Sequence, residues 1–282
     1  MTKKVIIASD STTDLTPELI ERYGVKVLPL GVTLGDRLYT DGVDINPDMI
    51  YAHYEQTGEL PKTSAINTVQ CAEFFREHTA DGSAMVFFTI SSEMSSTYAN
   101  ARLAAEEFEN VYVVDTRNLS TGGGLLVCAA GDMAQEGMEA KEIAEKCAEL
   151  REKVAASFVV DDLTFLHKGG RCSALAAIGA HLAHIKPCIA VSGGKMSVVK
   201  KYRGSFGAVL KKYAAELIDD EVAADRRRIF VTHAGCDEEL VEQCVSQIKQ
   251  AVPFEEVIVA RAGCTISSHC GRNTLGIIFI KR

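Results

Sequence analysis

Three stretches in the first 133 residues share one order: an apolar run, a turn rich in hydroxyl side chains, and a helix-like segment. They are VIIASDSTTDL at 5–15, MVFFTISSEMSSTYANARL at 85–103 and VYVVDTRNLSTGGGLLVCAAGDM at 111–133. In a parallel sheet, the turns at the carboxyl ends of the strands lie together, beside the unpaired N–H groups of helix amino termini. The pattern therefore predicts a site for an anionic or polar ligand at that edge of the sheet.

The hydroxyl groups of these turns have two possible roles. They could donate hydrogen bonds to a ligand, but serine, threonine and aspartate are also the residues that cap helix amino termini. For any one of them the capping role is favoured from sequence alone. The candidate donors are Ser11, Thr12, Ser91, Ser92, Ser95, Ser96 and Thr97.

The first part of the chain reads as alternating strands and helices, which predicts a βαβ series. The predicted strands are 4–9, 25–31, 84–90 and 110–115, and the predicted helices are 16–23, 47–57, 68–79, 95–108 and 121–135. A charged amphipathic helix at 139–154 closes the series. We therefore predict an N-terminal α/β/α domain with a parallel sheet over residues 1–160.

The remaining residues have a different sequence pattern. An apolar helix is predicted at 173–185, and Gly193-Gly194 separates two strand-like runs in the manner of a hairpin. A helix at 205–218 follows, and then come the segments RIFVTHAG, EELVEQCVSQIKQAV, EEVIVARAG and TLGIIFIKR. These segments predict a C-terminal α/β domain with a mixed sheet over residues 161–282, closing over a ligand. The fold class is thus α/β with two domains.

Composition excludes several classes of protein. The 282 residues carry a net charge of −8, which argues against a nucleic-acid partner. The nine cysteines contain no C-x-x-C pair, so we expect reduced, core-filling thiols in a cytoplasmic protein. The apolar run near the N-terminus is too short for a signal peptide, and we expect no membrane span.

Common catalytic motifs are absent. The chain has no P-loop, no G-x-G-x-x-G fingerprint and no G-x-S-x-G elbow. His181 and His184 lie three apart on a predicted helix that supplies no carboxylate, so no metal site is predicted. Asp161 and Asp162 follow an apolar strand, where paired acids more often cap a turn than act in catalysis.

Two segments carry more chemistry than a structural role requires. LTFLHKGGRCS at 163–173 places Lys168 and Arg171 around two glycines, where the guanidinium could reach an anion or simply lie in a solvated turn. RAGCTISSHCGRNTLG at 261–276 places His269 in a loop between two strands. If a positive charge on His269 assists carboxylate binding, affinity should fall as pH rises through its pKa.

Together these segments resemble the DegV family over nearly the whole chain. No single motif is rare, but eight occur in the family's order. They are SDSTTDL at 9–15, YTDGVDI at 39–45, PKTSAIN at 61–67, ISSEMSSTYANA at 90–101, VVDTRNLSTGGGLLV at 113–127, FLHKGGRCS at 165–173, IKP at 185–187 and SSHCG at 267–271.

The resemblance implies a protein that is not itself an enzyme. It implies a fatty-acid-binding subunit of a bacterial fatty acid kinase, which buries one long-chain fatty acid such as palmitate between its domains. A separate kinase subunit would phosphorylate the carboxylate for phospholipid metabolism, and no other cofactor is implied. By motif position the carboxylate would be held by Thr63, Ser95, Arg171 and His269, with Ser64, Ser96 and Ser92 as possible additional contacts.

Departures from the family pattern leave other functions open. Ser96 stands where the family has glycine, Ala65, Ile66 and Asn67 alter the T-S-Q-P-S motif, and Arg272 adds a charge after Gly271. These changes could alter chain-length preference or ligand class. Two alternatives remain: a hydrolase of acyl esters in which Ser95 and His269 act with Asp10, Asp115 or Asp162, and a regulatory protein that binds another small anion.

Overall fold

The computed structural model describes residues 4–172, 185–219 and 224–282. It confirms the α/β class with a parallel and a mixed sheet. The strands are β1 Val5–Asp10, β2 Lys26–Leu28, β3 Gly31–Leu34, β4 Arg37–Thr40, β5 Lys62–Ser64, β6 Ala84–Thr89, β7 Val111–Asp115, β8 Val154–Val160, β9 Ile185–Ser192, β10 Lys195–Arg203, β11 Ala224–Ala234, β12 Glu256–Arg261 and β13 Thr274–Lys281. The helices are α1 Pro17–Tyr23, α2 Pro47–Thr57, α3 Thr68–Thr79, α4 Thr97–Ala105, α5 Thr121–Gln135, α6 Ala140–Leu150, α7 Thr164–Gly169, α8 Phe206–Asp219, α9 Glu238–Ala251 and α10 Cys264–Cys270.

A parallel sheet with the order β2–β1–β6–β7 forms the first layer. Every residue of β6 is buried, as the apolar run over 84–88 predicts. The turns after β1, β6 and β7 meet at one edge, where Ile90 N donates to Asp10 and Ser91 N donates to Asn118 O. The predicted convergence of the three hydroxyl-rich turns is therefore confirmed.

A small antiparallel sheet with the order β4–β3–β5 was not predicted. The sequence reads as one strand over 25–31, but β2 ends at Leu28 and β3 begins at Gly31. Pro29 lies between them, and proline has no N–H group to continue a strand ladder. This sheet carries Thr63, which stands opposite Val32.

The mixed sheet has the order β10–β9–β8–β13–β11–β12, and only β11 and β12 run parallel. The predicted hairpin at Gly193-Gly194 is confirmed, since both glycines have the positive φ that such a turn requires. Strand β8 pairs with β9 and β13, so Val154–Val160 lies in this sheet although our boundary at 160 groups it with the first domain. The division into domains at that residue stays a prediction.

Helix α5 packs between the two larger sheets. Leu126 is fully buried in a core that includes Val114 of β7 and both Phe230 and Ile278 of the mixed sheet. Close approach is possible because Gly124 has no side chain: a Cβ there would lie 2.8 Å from Thr13 O. A continuous apolar core of this kind joins the two halves more firmly than a polar domain interface does.

Two segments predicted as loops are short helices. The K-G-G-R segment lies in and just after α7, and the segment with His269 forms α10. The amino terminus of α10 is capped from a distance by Asp41, which accepts hydrogen bonds from Cys264 N at 2.9 Å and Thr265 N at 3.1 Å. Sequence reasoning missed this helix because its cap comes from a residue more than 200 positions earlier in the chain.

Some expectations fall on residues outside the described ranges. Residues 173–184 are among these, and they contain most of the predicted apolar helix together with His181 and His184. All nine cysteines lie within the described ranges and are buried, which agrees with the expectation of core-filling thiols.

Candidate functional site

A cavity of about 200 Å³ lies between the end of β5, the turn after β6, the residues that follow α7, and α10. One part of its wall is polar and the other is apolar. The polar wall consists of Thr63, Ser64, Ser95, Ser96, Arg171, Thr265 and His269. The apolar wall consists mainly of Leu30, Ile90, Met94, Leu119, Met196 and Ile266.

Thr63 and His269 form the central contact of the polar wall. Thr63 Oγ1 lies 2.8 Å from His269 Nε2, which joins the small antiparallel sheet to α10 across 206 residues of sequence. Both side chains are partly buried and line the cavity. The structure therefore brings together two residues that were assigned to one site by resemblance alone.

The environment of His269 favours its neutral form. Burial, followed by the nearby charge of Arg171, lowers the pKa of His269 to about 4. At pH 6–8 the imidazole is thus uncharged, which argues against a charge-assisted contact with a carboxylate. A neutral imidazole still offers one donor and one acceptor.

Ser95 presents its hydroxyl to the same cavity while supporting α4. Its Oγ accepts a hydrogen bond from Thr97 N at 3.2 Å and lies 3.0 Å from Thr97 Oγ1. Thr97 Oγ1 in turn accepts from Ile66 N at 3.3 Å. If the Thr97 hydroxyl donates to Ser95, then the Ser95 proton remains available to a ligand. Capping and ligand binding are compatible at this residue.

Arg171 lines the cavity with an exposed side chain. Its Nη1 donates to Gly169 O at 2.8 Å, so the guanidinium holds the end of α7. Because the guanidinium is planar, this one bond also fixes the directions of its other N–H donors. A direct contact between Arg171 and a carboxylate stays a prediction.

The three additional candidates are placed differently. Ser64 and Ser96 line the cavity and are exposed at its mouth. Ser92 does not line it; its Oγ accepts from Arg117 Nη1 at 3.3 Å, and its N–H donates to Asp115. Ser96 has φ −77° and ψ −2°, a conformation open to any residue, so the loss of the family glycine does not strain this turn.

The other hydroxyls of the predicted edge have structural partners. Ser11 Oγ donates to Asp41 at 3.0 Å and accepts from Leu30 N. Thr12 donates to Asp10, and Ser91 Oγ donates to Gly194 O at 2.8 Å in the hairpin. In these residues the hydroxyl groups cap a turn or link two segments of the protein.

Buried aspartates support the polar wall from behind, and sequence reasoning did not assign them this role. Asp41 accepts from Thr265 Oγ1 at 2.6 Å as well as from the first N–H groups of α10. Asp14 accepts from Gly263 N at 2.9 Å and from Ser120 Oγ. Burial raises the pKa of Asp14 well above its usual range and raises that of Asp10 to about 6. The YTDGVDI and SDSTTDL motifs contain these residues, but only the fold shows what they hold.

An apolar space of about 30 Å³ adjoins the cavity on the side of the mixed sheet. The two spaces share wall residues Leu119, Ile266 and Cys270. Its other walls include Ala156 and Phe158 of β8, and Ile278 of β13. Taken together, the two adjoining spaces are hydroxyl-rich on one side and hydrocarbon-lined on the other.

The described residues do not assemble a Ser–His–Asp triad. Thr63, not Ser95, is bonded to His269 Nε2, and His269 Nδ1 has no hydrogen-bond partner among them. The carboxylates considered as partners are engaged elsewhere: Asp10 with Ile90 N, Asp115 with Ser92 N and Asp162 with Thr164.

Within residues 4–172, 185–219 and 224–282 no group of three or more histidine, cysteine or acidic residues could hold a metal ion. In the same ranges no helix combines the length and the apolar character that crossing a bilayer requires. Arg272 lies away from the cavity wall, paired with Glu55 at 3.3 Å and placed over the ring of Tyr51.

Comparison with known sequences identifies relatives along the whole chain. The family model described as "Uncharacterised protein, DegV family" matches residues 4–282. A DegV domain-containing protein of Clostridium perfringens is 31% identical over 287 residues, covering 99% of this chain and 98% of the relative. One of Staphylococcus aureus is 30% identical over 285 residues and covers 100% of both chains.

Solved structures with the same fold include proteins described by the ligand they bind. A DegV family protein from Thermus thermophilus, described for fatty acid binding, is 29% identical with a TM-score of 0.91, covering 99% of this chain and 100% of that chain. A stearic-acid-binding protein from Eubacterium ventriosum is 26% identical with a TM-score of 0.85, covering 100% and 98%. DegV from Bacillus subtilis, described as a fatty acid binding protein, is 25% identical with a TM-score of 0.87, covering 99% and 100%.

Proposed function

Because this chain belongs to the DegV family, we propose that it binds one long-chain fatty acid in the cavity between its parallel and mixed sheets. The carboxylate lies at the polar wall, with Thr63 and Ser95 as donors and with Arg171 and His269 beside them. The hydrocarbon tail extends toward Ala156 and Phe158. The observation that carries the proposal is this pair of adjoining spaces, which is polar at one end and apolar at the other.

Burial of the tail supplies most of the binding free energy. A chain of about 16 carbons at roughly 0.8 kcal/mol per methylene yields on the order of 10 kcal/mol before the cost of immobilisation. Hydrogen bonds from hydroxyl groups to a carboxylate add about 1.5–3 kcal/mol each and fix its orientation. The described space is smaller than the roughly 300 Å³ at which ligand pockets usually begin. Met94 and Met196 line it, and their flexible, unbranched side chains can move to admit a longer tail.

The polar end lies nearer the surface than the apolar end. Ser64, Ser96 and Arg171 are exposed at the mouth, whereas Ala156, Phe158 and Ile278 are buried. A bound fatty acid would thus present its carboxylate outward. We propose that the protein has no catalytic residue of its own and offers this carboxylate to a separate kinase, which forms the acyl-phosphate.

Mass spectrometry of organic extracts tests the ligand. Wild-type protein should carry, or take up, one equivalent of a long-chain fatty acid, and the variant Thr63→Ala/Ser95→Ala should carry much less. Ser92→Ala is the matched control, because its hydroxyl does not line the cavity. A wild-type protein that neither contains nor takes up a fatty acid would overturn the proposal; ester turnover that depends on Ser95 would favour a hydrolase instead.

A further inference from the structure

Gly169, the last residue of α7, lies directly against the imidazole of His269. A Cβ built at this glycine would stand 2.7 Å from His269 Nδ1 and 3.6 Å from its Cγ. Gly169 is not among the glycines with positive φ, so alanine could adopt its backbone conformation without strain. The ring of His269 is therefore what excludes a side chain at position 169.

The two nitrogens of His269 have unequal surroundings. Nε2 lies 2.8 Å from Thr63 Oγ1, whereas Nδ1 is buried and has no hydrogen-bond partner in the part of the chain that the structure describes. Burial keeps the imidazole neutral at pH 7, so it carries one N–H proton. Protein interiors tolerate an unpartnered N–H donor less than an unpartnered acceptor, so a proton on Nδ1 would be the costlier arrangement. The proton consequently belongs on Nε2, where Thr63 accepts it.

This tautomer determines what Thr63 can do. When Thr63 Oγ1 accepts from His269 Nε2–H, its own hydroxyl proton is not needed for that bond and can be donated into the cavity. With the opposite tautomer, Thr63 would have to donate to Nε2 and could offer only lone pairs to a ligand. An ionised carboxylate only accepts hydrogen bonds, so the residues that bind it must supply donors.

We infer that Gly169 is a positioning residue: its missing side chain lets His269 stand with Nε2–H toward Thr63, which makes the Thr63 hydroxyl a donor to the ligand carboxylate. The inference rests on the proposed function and adds the means by which the polar wall becomes selective for an anionic headgroup. Arg171 Nη1 donates to Gly169 O at 2.8 Å, so the same segment also carries the guanidinium that lines the cavity.

Nitrogen NMR of ¹⁵N-histidine-labelled, ligand-free protein tests the tautomer without any ligand. The chain has seven histidines, and the signal lost in His269→Ala identifies the one of interest. We expect its Nε2 to be protonated and its Nδ1 to be bare in wild type, and we expect this pattern to change in Gly169→Ala. A wild-type His269 protonated on Nδ1 would overturn the inference.

Palmitic acid affinity then tests the consequence, in four proteins: wild type, Gly169→Ala, His269→Ala and the double variant. Gly169→Ala should weaken binding about tenfold, the size of one lost hydrogen bond. In the His269→Ala background the same change should have almost no effect, because the ring that it displaces is gone. An equal loss in both backgrounds, or no loss in wild type, contradicts the inference. Gly207→Ala is the control, since a Cβ there meets only the flexible Leu240 side chain, at 2.9 Å.

The two proposals fail in different ways. If wild type takes up no palmitic acid, the proposed function is wrong, while the tautomer and its change in Gly169→Ala still decide whether Gly169 positions the ring. If wild type binds palmitic acid and Gly169→Ala binds it equally well, only the role of Gly169 is wrong.

Discussion

The two ends of the cavity are built in different ways. Its polar end (Thr63, Ser95, Arg171 and His269) comes from a short sheet, a turn, the residues after a short helix and another short helix, joined by hydrogen bonds across long sequence distances. Its apolar end (Ala156, Phe158, Gly276 and Ile278) comes from neighbouring strands β8 and β13 of one sheet. Loops and caps create the polar end, while regular strand pairing creates the apolar end.

Because of this difference, we expect the affinity for the tail and the selectivity for the headgroup to depend on different ends of the cavity. The apolar end should determine how tightly a tail is held and how long it can be, since burial scales with area. The polar end should determine which headgroup is accepted, because buried hydroxyls that lack an acceptor are costly. Changes at the two ends should therefore have separable effects.

The largest expected effect is at the apolar end. Ala156→Leu should weaken binding of a 16-carbon acid about a hundredfold, since excluding roughly four methylenes removes about 3 kcal/mol. A 10-carbon acid should be affected much less. Isothermal titration with both acids measures the difference. Ala155→Leu, the neighbour whose side chain points to the opposite face of β8, is the control, and equal losses for both acids would contradict this assignment of the tail.

A smaller effect is expected at the polar end. Thr63→Val keeps the shape of the side chain but removes its hydroxyl, so affinity for a 16-carbon acid should fall about tenfold. Affinity for the alcohol of equal chain length should change little, because an uncharged hydroxyl depends less on a hydrogen-bond donor than a carboxylate does. Competition between the two ligands checks this. A matched loss for acid and alcohol would mean that Thr63 contributes packing and not headgroup selection.

Asp14→Asn concerns the support behind the polar end. Asparagine can accept from Gly263 N and donate to Ser120 Oγ while removing a buried charge. The raised pKa of Asp14 means that the folded state binds a proton more tightly than the unfolded state, so the wild-type protein loses stability as pH rises above the unfolded pKa. At pH 8 the free energy of unfolding of the variant should exceed that of wild type by about 1 kcal/mol, or roughly 2–4 °C in Tm. At pH 5 the difference should be smaller. Calorimetry at both pH values tests the sign, and a gain that grows toward pH 5 would refute it.

The smallest effect is an absence of pH dependence. His269 has a pKa of about 4, so it stays neutral between pH 6 and 8 and its charge does not change there. Affinity for a fatty acid should be flat over this range. A tenfold fall from pH 6 to pH 8 that vanishes in His269→Gln would show that a positive charge takes part.

Several parts of the molecule could be read from the sequence. Apolar runs ending in hydroxyl-rich turns predicted β1, β6 and β7 and their convergence, and Gly193-Gly194 predicted the hairpin. These features are local: strand periodicity and turn chemistry depend on residues a few positions apart. The carboxylate-binding assignment of Thr63, Ser95, Arg171 and His269 came only from resemblance to a family, and the cavity that brings them together depends on the fold.

The sequence alone was enough to predict the α/β class and the convergence of the three hydroxyl-rich turns, and it shows that common catalytic motifs are absent. That α10 forms a helix depends on the fold, since its cap, Asp41, lies 223 residues from Cys264. The same holds for the neutral state of His269 and for its contact with Gly169, which lies 100 positions earlier in the chain. Burial and long-range contact set these properties, and neither is encoded in the neighbouring residues.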